Sequence, residues 1–363
     1  MRNFAEKLSE IKKKCNSKEY KYEIQNTMTF LSQKPIVLYG AGEIGYSVYI
    51  TLKQHGVDVS CFCDKNKSGV HEKTGLPIIA PKALKNEFSD TNIIICSVNY
   101  ANEMKQELNT IGINPNRIFE RGFLNLHEMT PRAIEPYLEG YERAYYLLSD
   151  EKSRQVLLDR IRSCLLSSSF LHSTPILQYF DPEIITLGCD EVFVDGGMYV
   201  GDTAEQFFKC VNGKYTHYYG FEPDVENSHQ AKKYLQGKSN ITIIEKGLWS
   251  NETQLCFSGS FESSSKLDNC GDSVVEVTSL DIYFKDKIPP TFIKMDVEGA
   301  ELESLKGSRN LIIENKPKLA ICAYHKPEDI YTLPELIKTY RDDYKFFLRH
   351  YSDSIYETVL YAI

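Results

Sequence analysis

The chain has 363 residues but no run of about 18 apolar ones, which excludes a membrane-spanning helix. Positive charge is scarce: 42 Lys and Arg face 50 Asp and Glu, a net charge of -8, and the one basic cluster is Lys12 to Lys14. Neutralising a nucleic-acid backbone takes clustered cations, so no nucleic-acid partner is expected, and Lys12 to Lys14 reads as a solvated helix face. Low-complexity stretches are missing, and the 25% charged content mixes both signs, which excludes a disordered chain. The polar start Met1 to Glu10 lacks the pattern of a signal peptide, so the expected location is cytoplasmic. Ten cysteines are present, yet they are scattered through apolar segments (Cys96, Cys164, Cys210, Cys322) and read as reduced core thiols. Cys61 and Cys63 form a C-x-C with no second pair at zinc spacing, so no metal is expected there.

What is present is enough apolar sequence for two domains, each with its own core. Residues Arg2 to Ser32 read as helical, and Pro35 ends the pattern. From Ile36, short apolar runs (Ile36 to Gly40, Val57 to Phe62, Asn92 to Ser97) alternate with amphipathic stretches, including a helix over Ala80 to Phe88. That alternation marks a parallel sheet wrapped by helices. Between Leu124 and Asp181 the texture turns helical, over Tyr137 to Leu148 and Lys152 to Leu166. Leu147, Leu148, Val156, Leu157 and Ile161 there would cover one face of the C-terminal domain. The expected layout is a helical segment over 1–33, a small Rossmann-like domain over 34–122, a helical connector over 123–185 and a second Rossmann-like domain over 186–363.

In the last of these, seven strands are expected: Val192 to Asp195, His217 to Glu222, Ile241 to Lys246, Phe292 to Asp296, Lys318 to Ala323, Lys345 to Arg349 and Thr358 to Ala362. The last two enclose the polar Tyr351 to Tyr356 and should pair as an antiparallel hairpin at the sheet edge. Gly259 to Ser273, rich in Ser, Asn, Asp and Gly, reads as a loop able to close over a substrate or as an ordinary solvated loop.

Two glycine motifs come directly after strands. In the first, Gly40, Gly42 and Gly45 open a helix and Asp64 ends the next strand 19 positions after Gly45, the dinucleotide-binding arrangement. A tight turn that binds nothing explains the same residues. In the second, Asp195, Gly196, Gly197, Gly201, Asp202 and Thr203 form an acid, a glycine-rich turn and a helix start, and Glu222 ends the next strand 21 positions after Gly201. A carboxylate there can accept two hydrogen bonds from a ribose diol.

With the stretch Phe292 to Glu301, the second motif closely resembles the FkbM family of methyltransferases. The likeness continues through Gln178 to Asp181, Phe221-Glu222-Pro223, Ala323 to Pro327 and Glu357 to Leu360. It implies an α/β fold with the sheet of a class I methyltransferase, S-adenosyl-L-methionine as cofactor, and oxygen methylation of sugars or other small hydroxylated metabolites. Carried over residue by residue, Asp195, Gly196, Gly197, Gly201, Asp202, Thr203 and Glu222 would bind the cofactor, with Gly247 and Leu248 beside the adenine. Met198 and Tyr199 depart from the small or polar residues usual in that turn, and a narrowed methionyl pocket is expected. Cys63 to Asn66, Gly75 to Ile78 and the region of Pro81 resemble the small Rossmann-like N-terminal domains of sugar-modifying acyltransferases and related enzymes, whose pocket holds a nucleotide sugar or nothing known.

Methyl transfer to oxygen needs alignment and one base. Asp296 and Glu298 end the fourth strand and His325 comes after the fifth, on the rim where such sheets hold ligands. Asp296 and His325 are the candidate bases, while Glu298 and Glu301 also suit the positive end of a helix. Asp296 and Glu298 alone do not make a metal site, so no metal is expected. The partner would be a small-molecule or glycan substrate, with a homo-oligomer allowed. Two other readings stand: a nucleotide- or sugar-binding protein without turnover, and an NAD-dependent oxidoreductase built on Gly40 to Gly45.

Overall fold

The computed structural model describes residues 3–88, 90–97, 100–120, 134–165, 171, 173–257, 273–352 and 356–363. The chain forms two compact units, Met1–Pro136 with Leu158–Phe170, and Tyr137–Leu157 with Leu171–Ile363. No described helix is long and apolar enough to cross a membrane.

The first unit holds strands β1 (Ile36–Tyr39), β2 (Cys61–Cys63), β3 (Gly69–Val70), β4 (Pro77–Ile79), β5 (Asn92–Ile95) and β6 (Ile118–Glu120). They form one sheet in the order β3-β4-β2-β1-β5-β6, parallel except where β3 meets β4. Residues of β1 and β5 are wholly buried, as expected of parallel strands covered on both faces. The expected strand Val57 to Phe62 is corrected to Cys61–Cys63, because Val57 and Val59 instead fill the core ahead of the ladder. The N-terminal helical stretch consists of two helices, Phe4–Cys15 and Lys18–Ser32, because the Ser17 hydroxyl accepts from the Tyr20 amide and caps the second. Ala80 to Phe88 is a 3-10 turn, Pro81–Ala83, followed by the short helix Leu84–Glu87.

The second unit holds β7 (Val192–Gly196), β8 (His217–Phe221), β9 (Ile241–Ile244), β10 (Gly247–Leu248), β11 (Thr253–Phe257), β12 (Ser273–Thr278), β13 (Phe292–Met295), β14 (Lys318–Cys322), β15 (Phe346–His350) and β16 (Thr358–Ala362). Its main sheet runs β15-β16-β14-β13-β7-β8-β9. The strands from β14 to β9 are parallel, and β16 pairs antiparallel with both β14 and β15. Phe180, Phe193, Phe207, Tyr218 and Phe292 pack edge to face and stacked in the core. A smaller sheet, β10-β12-β11, is an addition to the expected elements, and it claims Ser273 from the expected loop. The rest of that loop, Gly259 to Asp272, lies outside the described residues, as does the start of the connector over 121–133.

The helix Leu138–Leu147 packs on Asp329–Tyr340, where Gly140 lies under the Tyr331 ring and the Tyr141 hydroxyl donates to the Pro327 carbonyl at 2.9 Å. The cysteines Cys61, Cys63, Cys96, Cys164 and Cys322 are buried thiols outside any disulfide. Cys210 is corrected from the core to the surface: it closes the helix Asp202–Cys210 on its exposed side.

Candidate functional site

The site is built where β7, β8, β13 and β14 end. After β7 the chain turns sharply, and Gly197 takes a φ of +70° with a Cβ position 1.9 Å from the Asp296 carbonyl oxygen. Only glycine passes between the two strand ends at that distance. Gly197 and Met198 donate their amides to the Phe221 carbonyl at the end of β8. Gly201 (φ +89°) then opens the helix that carries Asp202 and the buried Thr203.

Met198 does not narrow a ligand pocket: its side chain is fully buried and its sulfur fills the space a Cβ on Gly220 would need, because β8 leaves that place open. Tyr199 is 58% exposed with a φ of +51°. Leu248, also expected at the ligand, is buried against Gly196, with Gly247 beside Pro223.

The two acids of the turn are placed very differently. Asp195 has no exposed surface, and its carboxylate accepts from the Tyr218 hydroxyl at 2.8 Å and lies 2.8 Å from the Lys294 ammonium. Lys294 in turn donates to the carbonyls of Gly196 (3.1 Å) and Gly197 (2.7 Å). Burial works against the Lys294 charge, but Asp195 and Asp296 outweigh it and hold its pKa above the ordinary lysine range. Glu222 receives the amides of Tyr199 and Asp224, each at 3.0 Å and each on a different carboxylate oxygen. Burial raises its pKa, against the pull of those amides.

Beside the turn stands a second cluster. Asp296, which ends β13, accepts from the hydroxyls of Tyr179 (3.0 Å) and Tyr324 (3.1 Å). His325, after β14, places Nε2 3.4 Å from Glu298 and 3.7 Å from Asp296, and Nδ1 3.0 Å from Glu301. Burial disfavours its proton, but Glu298, Glu301 and Asp296 outweigh that and lift its pKa to about 11. Asp296, though desolvated, is held below the usual carboxylate range by Lys294 and His325. Glu301 is fully buried and accepts from the Val297 amide at 2.9 Å, whereas the Glu298 side chain is 59% exposed. Asp329 is pushed up to about 7 by burial and by Glu301.

The sequence pattern brought Asp296, Glu298 and His325 together, and the structure adds Glu301 to them. The pattern missed Tyr179, Tyr218, Lys294 and Tyr324 as site residues. Lys294 was legible in principle as a lysine inside an otherwise apolar strand, a place where charge must find a partner.

In the first unit, Gly40 (φ +117°) lies against the Cys96 carbonyl, and a Cβ on Gly45 would stand 2.0 Å from the Gly40 carbonyl oxygen. Close packing of the turn thus requires both glycines. Gly42 has open space around it. Asp64 is occupied by the chain itself, accepting from the amides of Ala41, Asn66 and Lys67.

Taken together, the second unit has an α/β fold with mixed sheets and a glycine-lined turn between strand ends, an architecture found in methyltransferases. Residues 195–347 match the family model of the methyltransferase FkbM domain, and residues 32–119 that of the C2185-like N-terminal domain. The second unit thus carries a stretch, 195–347, that matches the methyltransferase FkbM domain. It is similar over 94% of its length to a methyltransferase FkbM from Methylobacillus flagellatus KT, over 93% of that chain, at 23% identity and a TM-score of 0.64. An rRNA methylase from Streptococcus thermophilus is similar at 17% identity over 48% of this chain and 87% of that one, with a TM-score of 0.32. Fibrillarin from Aeropyrum pernix, solved with natively bound S-adenosyl-L-methionine, is similar at 12% identity over 50% and 70% of the two chains, with a TM-score of 0.31. No protein of curated function matches the chain.

Proposed function

We propose that the chain is a class I methyltransferase that uses S-adenosyl-L-methionine to methylate a hydroxyl oxygen of a saccharide, nucleotide sugar or glycan precursor. One observation carries the reading: the Asp195 to Gly201 turn and Glu222 stand on neighbouring strand ends, with Asp296 on the strand flanking β7 on its other side. Each Glu222 oxygen accepts one backbone amide and the Asn227 side chain reaches the same carboxylate, so a lone-pair position is still left for a ribose hydroxyl. Gly196, Gly197 and Gly201 allow close backbone approach, Asp202 and Thr203 flank the turn, and Gly247 and Leu248 border the adenine side. In this reading Asp195 acts through Lys294, fixing the turn rather than touching the ligand.

The cofactor supplies a methyl group already activated on a sulfonium. The chain's own task is to align an acceptor oxygen and remove its proton. Of the two candidate bases, Asp296 is the ionised one at neutral pH, whereas His325 keeps its proton among three carboxylates and orients the acceptor. Glu298 lies on the exposed rim. The glycan preference rests on the family resemblance of both halves of the chain, and the turn at Gly40 to Gly45 then serves substrate capture.

Calorimetry with S-adenosyl-L-methionine tests the cofactor site. Saturable one-to-one binding is expected, weakened at least about tenfold by Glu222→Gln, since the negative charge is lost and one acceptor oxygen becomes a donor. Wild-type protein that takes up no cofactor ends the reading. Binding without transfer of labelled methyl to any glycan extract leaves a binding protein.

A further inference from the structure

We propose that Asp296, Glu301 and His325 bind one divalent transition-metal cation of the Mn2+, Fe2+ or Zn2+ kind. The three residues come from separate segments: the end of β13, the first turn of the helix Glu301–Lys306, and the turn after β14. One ligand atom from each lies within 4.8 Å of the other two. Bonds of about 2.1 Å put neighbouring donors of an octahedral ion about 3 Å apart and opposite donors about 4.2 Å apart. A contraction of roughly half an ångström therefore closes the set on an ion.

Two features point to a ligand beyond the cluster's mere acidity. Glu301 has 0% exposure, and while the Val297 amide holds Oε1, Oε2 has no hydrogen-bond partner. His325 faces Oε1, so Oε2 is the atom left bare, and a buried carboxylate oxygen without a partner is costly. Both ring nitrogens of His325 face carboxylates, at 3.0 to 3.7 Å, so an ion bound there takes the place of the proton that the imidazole otherwise holds between them. The nearby lysines are committed elsewhere: Lys326 donates to the Gly299 carbonyl at 2.5 Å, and Lys294 to the Gly197 carbonyl at 2.7 Å beside Asp195.

Two carboxylates with one imidazole suit a cation intermediate between the hard and the soft. The hydroxyls of Tyr179 and Tyr324 orient Asp296 as outer partners orient metal-ligating carboxylates. Sequence spacing gave no hint of this set, because Glu301 reads as a helix-start acid. The proposal concerns binding and holds whether or not the chain transfers methyl.

The test uses the full chain, stripped with chelator, dialysed and titrated with MnCl2 alone near neutral pH, with free Mn2+ followed by electron paramagnetic resonance. One saturable site is expected, with nitrogen hyperfine coupling to the bound ion in pulsed spectra. Glu301→Gln and His325→Gln each weaken binding at least about tenfold, and His325→Gln also removes the nitrogen coupling. Glu314→Gln, an exposed acid outside the cluster, leaves the affinity unchanged. Absence of saturable binding, or unchanged affinity in the two folded variants, overturns the proposal. Should either variant fail to fold, bound Mn2+ in wild-type protein without nitrogen coupling overturns it equally.

Discussion

The carboxylate of Asp195 and the ammonium of Lys294 lie 2.8 Å apart at 0% and 2% side-chain exposure, and that ammonium also holds the carbonyls of Gly196 and Gly197. The pair locks the glycine-rich turn onto the neighbouring strand from inside the sheet. Neither charge has water to fall back on.

Removing one partner therefore strands the other. Lys294→Met should lower unfolding stability by about 3–5 kcal/mol, since it leaves an uncompensated buried carboxylate. Asp195→Asn combined with Lys294→Met should recover part of that loss, because a neutral amide costs less to bury than an unpaired charge. Urea denaturation of both variants checks this. A double variant no more stable than Lys294→Met refutes the account of the pair. By the same argument Asp195→Ala destabilises the fold and is an unclean probe of cofactor binding.

Gly197 and Gly42 make a matched contrast. Gly197→Ala combines a positive φ with a Cβ 1.9 Å from the Asp296 carbonyl oxygen, so a loss of at least about 2 kcal/mol is expected. Gly42 has an ordinary φ of -105° and open space around it, and Gly42→Ala should cost under about 1 kcal/mol. Thermal unfolding of the two variants decides it; equal losses would show that the strand ends can part.

Asp329 links stability to pH. Its pKa is raised from 3.8 to about 7, so between those values the folded chain holds a proton that the unfolded chain has released. Its contribution to stability is complete below the lower value and is lost as pH rises through the upper one. Asp329→Asn removes this dependence. Unfolding free energies measured from about pH 4 to pH 8 should fall less steeply for the variant than for the wild type, and parallel curves would contradict the raised pKa.

The first unit invites a simpler check. Because Asp64 already accepts from Ala41, Asn66 and Lys67, Asp64→Ala should lower the melting temperature of the chain through the loss of these bonds. An unchanged melting temperature would mean that these bonds add nothing to stability.

The seven strands of the main sheet in the second unit were legible in the amino-acid order alone. Runs such as Phe292 to Met295 and Lys318 to Cys322 are apolar apart from one lysine each because parallel strands are covered on both faces, and that pattern is local. The same order showed which strand ends carry Asp195, Glu222, Asp296 and His325, since turn chemistry depends on neighbouring residues. Partnership emerged only from the packed chain. Lys294 and Asp195 are 99 residues apart and Tyr179 and Asp296 are 117 apart, and their meeting depends on β13 pairing with β7. The inward turn of Met198, the surface place of Cys210 and the bare oxygen of Glu301 were settled in the same way, by which atoms the packed chain leaves beside them.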